Sequence, residues 1–182
     1  MPNQILVPDP DRLEVLSLRV EAGMIILTTR ACCETATCPI CGQQSSRVHS
    51  RYRRTLADLP WQEIPARLIL WSRRFFCDTA ACPRRIFTER LPAVAAPYAH
   101  RTTRFHAWLG RVAFALGGEP GARLLHQLGL AVCGDTLLAQ IRSQTLPAQP
   151  TPRILSVDDF AFRRGRTYGS ILVDLERRHV VD

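Results

Sequence analysis

The sequence predicts an α+β chain of several modules: a β-rich N-terminal half organised around paired cysteines, a helical block after it, and a pair of strands at the C-terminal end. Three observations predict this. Cysteines pair at close spacing, Cys38 with Cys41 and Cys77 with Cys82, among short strand-like runs. Apolar residues recur at helical spacing between residues 104 and 143. Proline-bearing stretches at 91–103 and 145–153 punctuate the chain. The boundaries that follow are an N-terminal β-hairpin over 1–37, a cysteine-paired ribbon over 38–92, a helical module over 98–145 and a further β module over 153–182.

Residues 12–30 read as the hairpin. Leu16, Leu18 and Val20 alternate with polar residues, Glu21-Ala22-Gly23 forms the turn, and 24–29 is a second apolar strand. Within the ribbon, 45–54 is polar and basic with β-formers at Val48 and Tyr52, 66–76 is a strong strand, and 86–88 is a short third one. Thr102 or Thr103 is placed to cap a helix from Arg104 to about Leu116, whose apolar face carries Phe105, Trp108, Leu109, Val112 and Leu116. Gly117-Gly118 ends it, a second helix covers about 120–128, and a third runs from about Gly134 to Ser143. After the second proline-bearing stretch, strands at 154–157 and 168–175 flank a basic turn, Arg163-Arg164-Gly165-Arg166.

Charge narrows the function classes. The chain has a formal net charge of +8, and all 24 of its basic residues are arginine. The surplus sits in one segment: residues 38–104 hold 12 Arg against 4 acids, whereas 1–37 hold 3 against 5 and 105–182 hold 9 against 7. A concentrated arginine surplus is the footprint of a surface that meets a polyanion, and guanidinium forks fit phosphate oxygens. A solvated basic face is the alternative. No apolar run is long enough to span a membrane, and the N-terminus lacks a secretory pattern, so a cytoplasmic protein is expected.

Seven cysteines, at 32, 33, 38, 41, 77, 82 and 133, are an odd count that argues against a disulfide framework. Cys38-Pro-Ile-Cys41-Gly42 is a knuckle whose two thiolates wrap one side of a tetrahedral ion, with Gly42 permitting the tight turn. Cys77 and Cys82 close the other side, 35 residues beyond Cys41. Four thiolates leave no open position, so the expected cofactor is a structural Zn2+. A redox CxxC lacks the surrounding βαβ pattern it needs. Cys32, Cys33 and His49 are alternative ligands, and Cys133 falls in the helical block as a core residue.

Residues 121–142 have the rhythm of a helix-turn-helix. Ala122, Leu125 and Leu128 form one apolar face, Gly129 turns the chain, Val132 plugs the corner, and Leu137, Leu138 and Ile141 point inward on the third helix. Asp135, Thr136, Ala139, Gln140 and Arg142 are left to point outward, where Gln140 and Arg142 have donors suited to adenine and guanine. Three short helices packed only on each other would look similar. Near the C-terminal end, Asp158 stands at the end of the apolar strand 154–157 and Asp174 lies in the next one. Magnesium-dependent phosphoryl-transfer sites use strand carboxylates, although a strand-end Asp is also an ordinary turn residue.

Taken together, Cys38-x-x-Cys41, Arg73-Arg-Phe-Phe-Cys77-x4-Cys82, the helical stretch 100–143 and the run Val157-Asp158-Asp159-Phe160 through Tyr168 to Asp174 resemble the ISL-three family of insertion-sequence transposases. The resemblance implies a zinc ribbon over 38–92, a helix-turn-helix over 98–145, and over 153–182 the first strands of a ribonuclease-H-like DDE core. It makes Asp158 the first catalytic carboxylate, a ligand for Mg2+ in a complete enzyme. The family carries Asp-Glu where this chain has Asp158-Asp159. Asp182 falls two strands into that core, so the expectation is a truncated transposase that binds DNA without cutting it. Its expected partners are the terminal inverted repeats of its element as double-stranded DNA, a second copy, or a full-length transposase, in a bacterial, nucleoid-associated setting. The DNA contacts are expected from Arg47, Arg51, Arg53, Arg54, Arg73, Arg74, Thr136, Gln140 and Arg142. A non-enzymatic zinc-containing regulator or transposition repressor is the second hypothesis, and a zinc-dependent interaction module that ignores DNA is the third.

Overall fold

The expected N-terminal hairpin forms as β1 (Leu13–Glu21) and β2 (Met24–Ala31) in the computed structural model, which describes residues 7–144, 151–163 and 165–181. Positive φ at Ala22 and Gly23, 49° and 73°, gives the turn the twist that antiparallel strands need. The alternating stripe does not enter the core as its pattern suggests. The register shifts between Val15 and Ser17, and Leu16, Leu18 and Val20 stay exposed on an edge strand. Burial comes instead from Leu13 and from Ile25, Leu27 and Ala31 of β2.

The hairpin is not a module apart. β2 pairs in parallel with β6 (Ile64–Phe76), with Leu27 opposite Leu68, and β6 pairs antiparallel with β5 (Val48–Trp61). With β7 (Ile86–Thr88) on β6, one sheet runs β1-β2-β6-β5, so no boundary falls at residue 37 or 38. β5 is longer than the basic run alone suggests. It continues through Leu56 and Asp58 to a turn at Gln62 and Glu63, both at positive φ. The 35 residues between Cys41 and Cys77 therefore hold one long hairpin whose open end lies at the cysteines.

One face of this sheet is covered. Leu13, Leu27, Leu56, Leu68 and Leu70 pack against Leu91, Val94 and Ala95. Residues 91–95, expected to be linker, are thus core, because an apolar sheet face gains more from cover than a free tether would. The helices α1 (Thr103–Leu116), α2 (Glu119–Gln127) and α3 (Gly134–Arg142) follow. Thr102 is the N-cap of α1, its hydroxyl accepting from the Phe105 N–H at 3.3 Å. Phe105, Leu109, Ala113, Leu125, Leu130 and Leu137 form the helical core, and Ala57 and Leu59 of β5 pack against it. Residues 7–143 accordingly make one compact unit.

Residues beyond 143 form a second unit. Its strands β8 (Leu155–Arg163), β9 (Thr167–Asp174) and β10 (His179–Val180) make an antiparallel meander in the order β10-β9-β8. Asp158 lies opposite Ile171 in the middle of β8, not at a strand end, because pairing with β9 carries the strand on to Arg163. Most of the proline-bearing stretch 145–153, together with Arg164 and Asp182, falls outside the described residues. No helix among the described residues is long and apolar enough to cross a membrane.

Candidate metal centre and nucleic-acid interface

Two β-knuckles build the cysteine site. β3 (Ala36–Thr37) and β4 (Gln44–Ser45) flank the first, pairing Thr37 with Gln44. Within it the Gly42 N–H donates to Cys38 O at 3.0 Å and the Cys38 N–H to Gln43 O at 2.8 Å, a turn that requires the φ of +74° at Gly42. β6 and β7 flank the second, where the Cys77 N–H donates to Arg85 O at 2.8 Å and the Cys82 N–H to Thr79 O at 3.0 Å.

The four Sγ atoms of Cys38, Cys41, Cys77 and Cys82 lie within 4.8 Å of one another. Cys38 Sγ is 4.0 Å from Cys82 Sγ, and Cys41 Sγ is 3.6 Å from Cys77 Sγ. A tetrahedron of sulfurs at the usual Zn–S length has edges of about 3.8 Å. The thiol positions fit a zinc ion held by four cysteines with no open coordination position. Cys32, Cys33 and His49 stand outside this group. Cys33 Sγ accepts from Arg12 Nε at 3.3 Å, and His49 Nδ1 lies 3.0 Å from Ser50 Oγ.

The local field prepares part of the site for the ion. The backbone N–H of Gln43 and the Thr79 hydroxyl bring the Cys41 thiol down to about 6. The backbone N–H of Cys41 draws Cys38 downward as well. At Cys82 the Arg84 N–H favours the thiolate, but burial and the neighbouring sulfurs outweigh it and push the thiol up to about 11. Four like-charged sulfurs this close cannot all ionise without a cation between them. Phe75 and Phe87, stacked at 5.9 Å and fully buried, share one buried cluster with Cys38, Cys77 and Cys82.

The arginines expected to line one surface are divided among several. Register on β5 and β6 puts Arg51 and Arg53 on the uncovered sheet face, beside the exposed Trp71. Arg54 and Arg74 belong to the opposite face, where Arg74 lies 4.5 Å over the Tyr52 ring. Arg47 sits at the cysteine end, paired with Asp78 and 5.0 Å from the Phe76 ring. Arg73 is not a surface contact. Its side chain is 13% exposed, bridges Glu89 at 2.8 Å and donates to Cys33 O at 2.5 Å. A desolvated guanidinium already matched to a buried carboxylate has little to offer an external phosphate.

The third helix needs a similar correction. Gln140 is buried, its Nε2 3.2 Å from His106 Nδ1 and its Oε1 without a partner. It stands three residues after the buried Leu137, which puts it on the helix's inner face. Leu138, expected inward, is partly exposed instead. Thr136 is half-buried with its Oγ1 3.2 Å from Cys133 Sγ, and Arg142 is exposed. Cys133 is the exposed N-cap residue of α3 and not core. In the second unit Asp158 is exposed, Asp159 accepts from the Ser170 hydroxyl at 2.6 Å, and Asp174 is buried, accepting from the N–H groups of Glu176 and Arg177. The only group of three or more metal-ligating side chains among the described residues is the cysteine set.

Sequence reasoning passed over a buried polar cluster joining sheet to helices. Asp58, 3% exposed, accepts from the Thr102 hydroxyl at 2.7 Å and from Arg104 Nε at 2.8 Å. Its signal was available, since Asp58 continues the inward alternation of Leu56 on β5.

Residues 34–82 match the family model described as the zinc-finger of transposase IS204/IS1001/IS1096/IS1165. No curated protein and no solved structure matches the chain. The match spans both knuckles, supports the transposase family, and with the clustered cysteines supports a structural zinc.

Proposed function

We propose that this chain is the DNA-binding portion of a DDE transposase and recognises the terminal inverted repeats of an insertion element. The observation that carries this reading is the four-sulfur cluster within a segment matching a transposase zinc-finger. Cys38, Cys41, Cys77 and Cys82 would hold Zn2+, which supplies cross-linking of the two knuckles and no chemistry on substrate.

The uncovered sheet face supports the DNA contact. Arg51, Arg53 and Arg67 are exposed there around Trp71, and guanidinium groups on an open strand surface suit the phosphates of a duplex. In this reading α1–α3 act as a helix-turn-helix, with α3 presenting Thr136 and Arg142 to base edges and Gln140 holding α3 to α1. Residues 153–182 are the opening strands of a ribonuclease-H-like core. Asp158 is its first triad carboxylate, a ligand for Mg2+ in the complete enzyme. The antiparallel meander with an exposed Asp158 on its first strand supports that assignment.

The test is binding of the zinc-loaded chain to duplexes bearing the ends of the surrounding element, against a scrambled duplex, at several salt concentrations. Tighter, salt-dependent binding to the ends is expected. Equal binding to both duplexes would overturn end recognition. No binding by the folded, zinc-loaded chain would overturn the DNA reading itself. Arg142→Ala is expected to relax the preference, whereas Arg53→Ala weakens all duplexes alike and lowers the salt slope by about one.

A further inference from the structure

On the covered face of the sheet, a concave cleft of about 420 Å3 is lined by residues of β5, β6, β7 and the segment that follows as far as Tyr98. Its lining is basic and aromatic: Arg54, Arg74, Arg84 and Arg90 with Tyr52 and Tyr98. Glu89 is the single acid in the lining, and its carboxylate is already engaged by Arg73 and Ser72. Among the described residues, Arg74, Arg84 and Arg90 form no ion pair.

Tyr98 is the unusual member. It is 93% exposed and holds φ at +60°, a left-handed conformation that bulky side chains seldom adopt. The surrounding structure imposes this geometry. Arg54 Nη2 donates to Ala96 O at 3.1 Å and to Ala99 O at 2.9 Å, and the Ala99 N–H donates to Ala96 O at 3.2 Å. A guanidinium on β5 is thereby used to fix a turn whose product is an outstretched aromatic ring. Strain of this kind, kept where it displays a side chain to solvent, points to a binding role.

We infer that this cleft binds an unpaired nucleotide of a DNA strand, its base stacked on Tyr98 and its phosphates held by Arg74, Arg84 and Arg90. The inference rests on the DNA-binding reading above and adds which form of DNA this face takes. Three features select the unpaired form. The cleft has the size of sites that take small ligands, roughly 300–1,000 Å3, too small to admit a duplex. Exposed rings beside guanidinium groups are the stacking platforms of single-strand binders, whereas a base stacked within a duplex has no free π-face to offer. The face around Arg51, Arg53 and Trp71 lies on the other side of the sheet, so duplex and unpaired strand would not compete for one surface.

The test uses the full, zinc-loaded chain with a labelled single strand of about 12 nucleotides and with a blunt duplex of the element end. Tyr98→Ala is expected to weaken single-strand binding about tenfold, Tyr98→Phe to retain it, and both to leave duplex binding within about twofold. Arg90→Ala should likewise lower single-strand affinity and its salt slope while sparing the duplex. Unchanged circular dichroism and zinc content of each variant show that the fold is retained. Duplex binding with no single-strand binding would overturn this inference and leave the DNA reading standing. Equal losses on both DNAs, or no loss on either, would overturn it too. Failure of the unaltered chain to bind either DNA would overturn both.

Discussion

The two ends of the β5–β6 hairpin are stabilised by different means. At the open end the buried cluster is Ala36, Cys38, Phe75, Cys77, Cys82 and Phe87, half of it cysteine. At the turn end, Ala57 and Leu59 meet a helical core of Phe105, Leu109, Ala113, Leu125, Leu130 and Leu137, with no sulfur in it. Strands alone give the open end too little apolar surface to order two knuckles, so a metal supplies the missing cross-link. The turn end gets cover from three helices, and its side-chain fastening is Asp58 with Thr102 and Arg104, beside backbone hydrogen bonds between Ala57 and residues 100 and 102. Chemistry replaces packing where packing runs short.

Removing the ion should therefore break one end and spare the other, and this is the largest effect expected. Chelation, or Cys38→Ser, should abolish zinc binding and release the amides of 36–45 and 77–88 to hydrogen exchange. The amides of α1 and α3 should keep their protection. Uniform loss of protection throughout residues 7–143 would mean that the two ends fold as one cooperative unit. The raised Cys82 thiol gives the pH direction. It still carries its proton near neutral pH without the ion, so zinc uptake releases protons and affinity falls as the pH is lowered. Uptake measured in buffers of differing protonation enthalpy counts the protons.

At the other end, Asp58→Ala should be the most damaging single change. It leaves the Arg104 guanidinium, 23% exposed, without its buried carboxylate, and removes the acceptor of the Thr102 hydroxyl. Losing one partner of such a pair costs about 3–5 kcal/mol. Denaturant unfolding should show that loss with zinc content unchanged, which would separate the two fastenings. A loss below about 1 kcal/mol would show that the helices hold to β5 by apolar contact and the backbone hydrogen bonds at Ala57, without need of the Asp58 side chain.

The sequence made the metal end more legible than the basic surface, for a physical reason. Cysteine ligands come in local pairs, so their spacing encodes the site directly, and Gly42 marks the turn between them. The hairpin turn at Gly23 and the cap at Thr102 are local signals of the same kind. The parallel pairing of β2 with β6 and the burial of Leu91, Val94 and Ala95 are decided by distant partners, and no short window contains both. Arginine's role was the least legible. Arg51, Arg53, Arg54, Arg73 and Arg74 look alike in composition, yet strand alternation sends them to different faces and Glu89 withdraws Arg73 from the surface. Charge counting finds the segment but not the face.

The smallest expected effect concerns Gln140, where periodicity was available but polarity misdirected the reading. An amide side chain on a short helix suggests an outward base contact, yet its place one turn after Leu137 turns it inward. Gln140→Leu replaces a buried Oε1 that lacks a partner and forfeits one hydrogen bond to His106, whose exposed ring can turn to water. Relief of an unsatisfied buried acceptor is worth about 1–3 kcal/mol, and the lost bond about 1 kcal/mol. The variant should therefore be as stable as the unaltered chain or up to about 2 kcal/mol more so, and should bind duplex DNA unchanged. Lower stability with intact binding would show that the His106 contact fixes the angle of α3. Lost sequence preference at unchanged stability would return Gln140 to the DNA surface, which its burial beside Leu137 allows only if α3 rotates on binding.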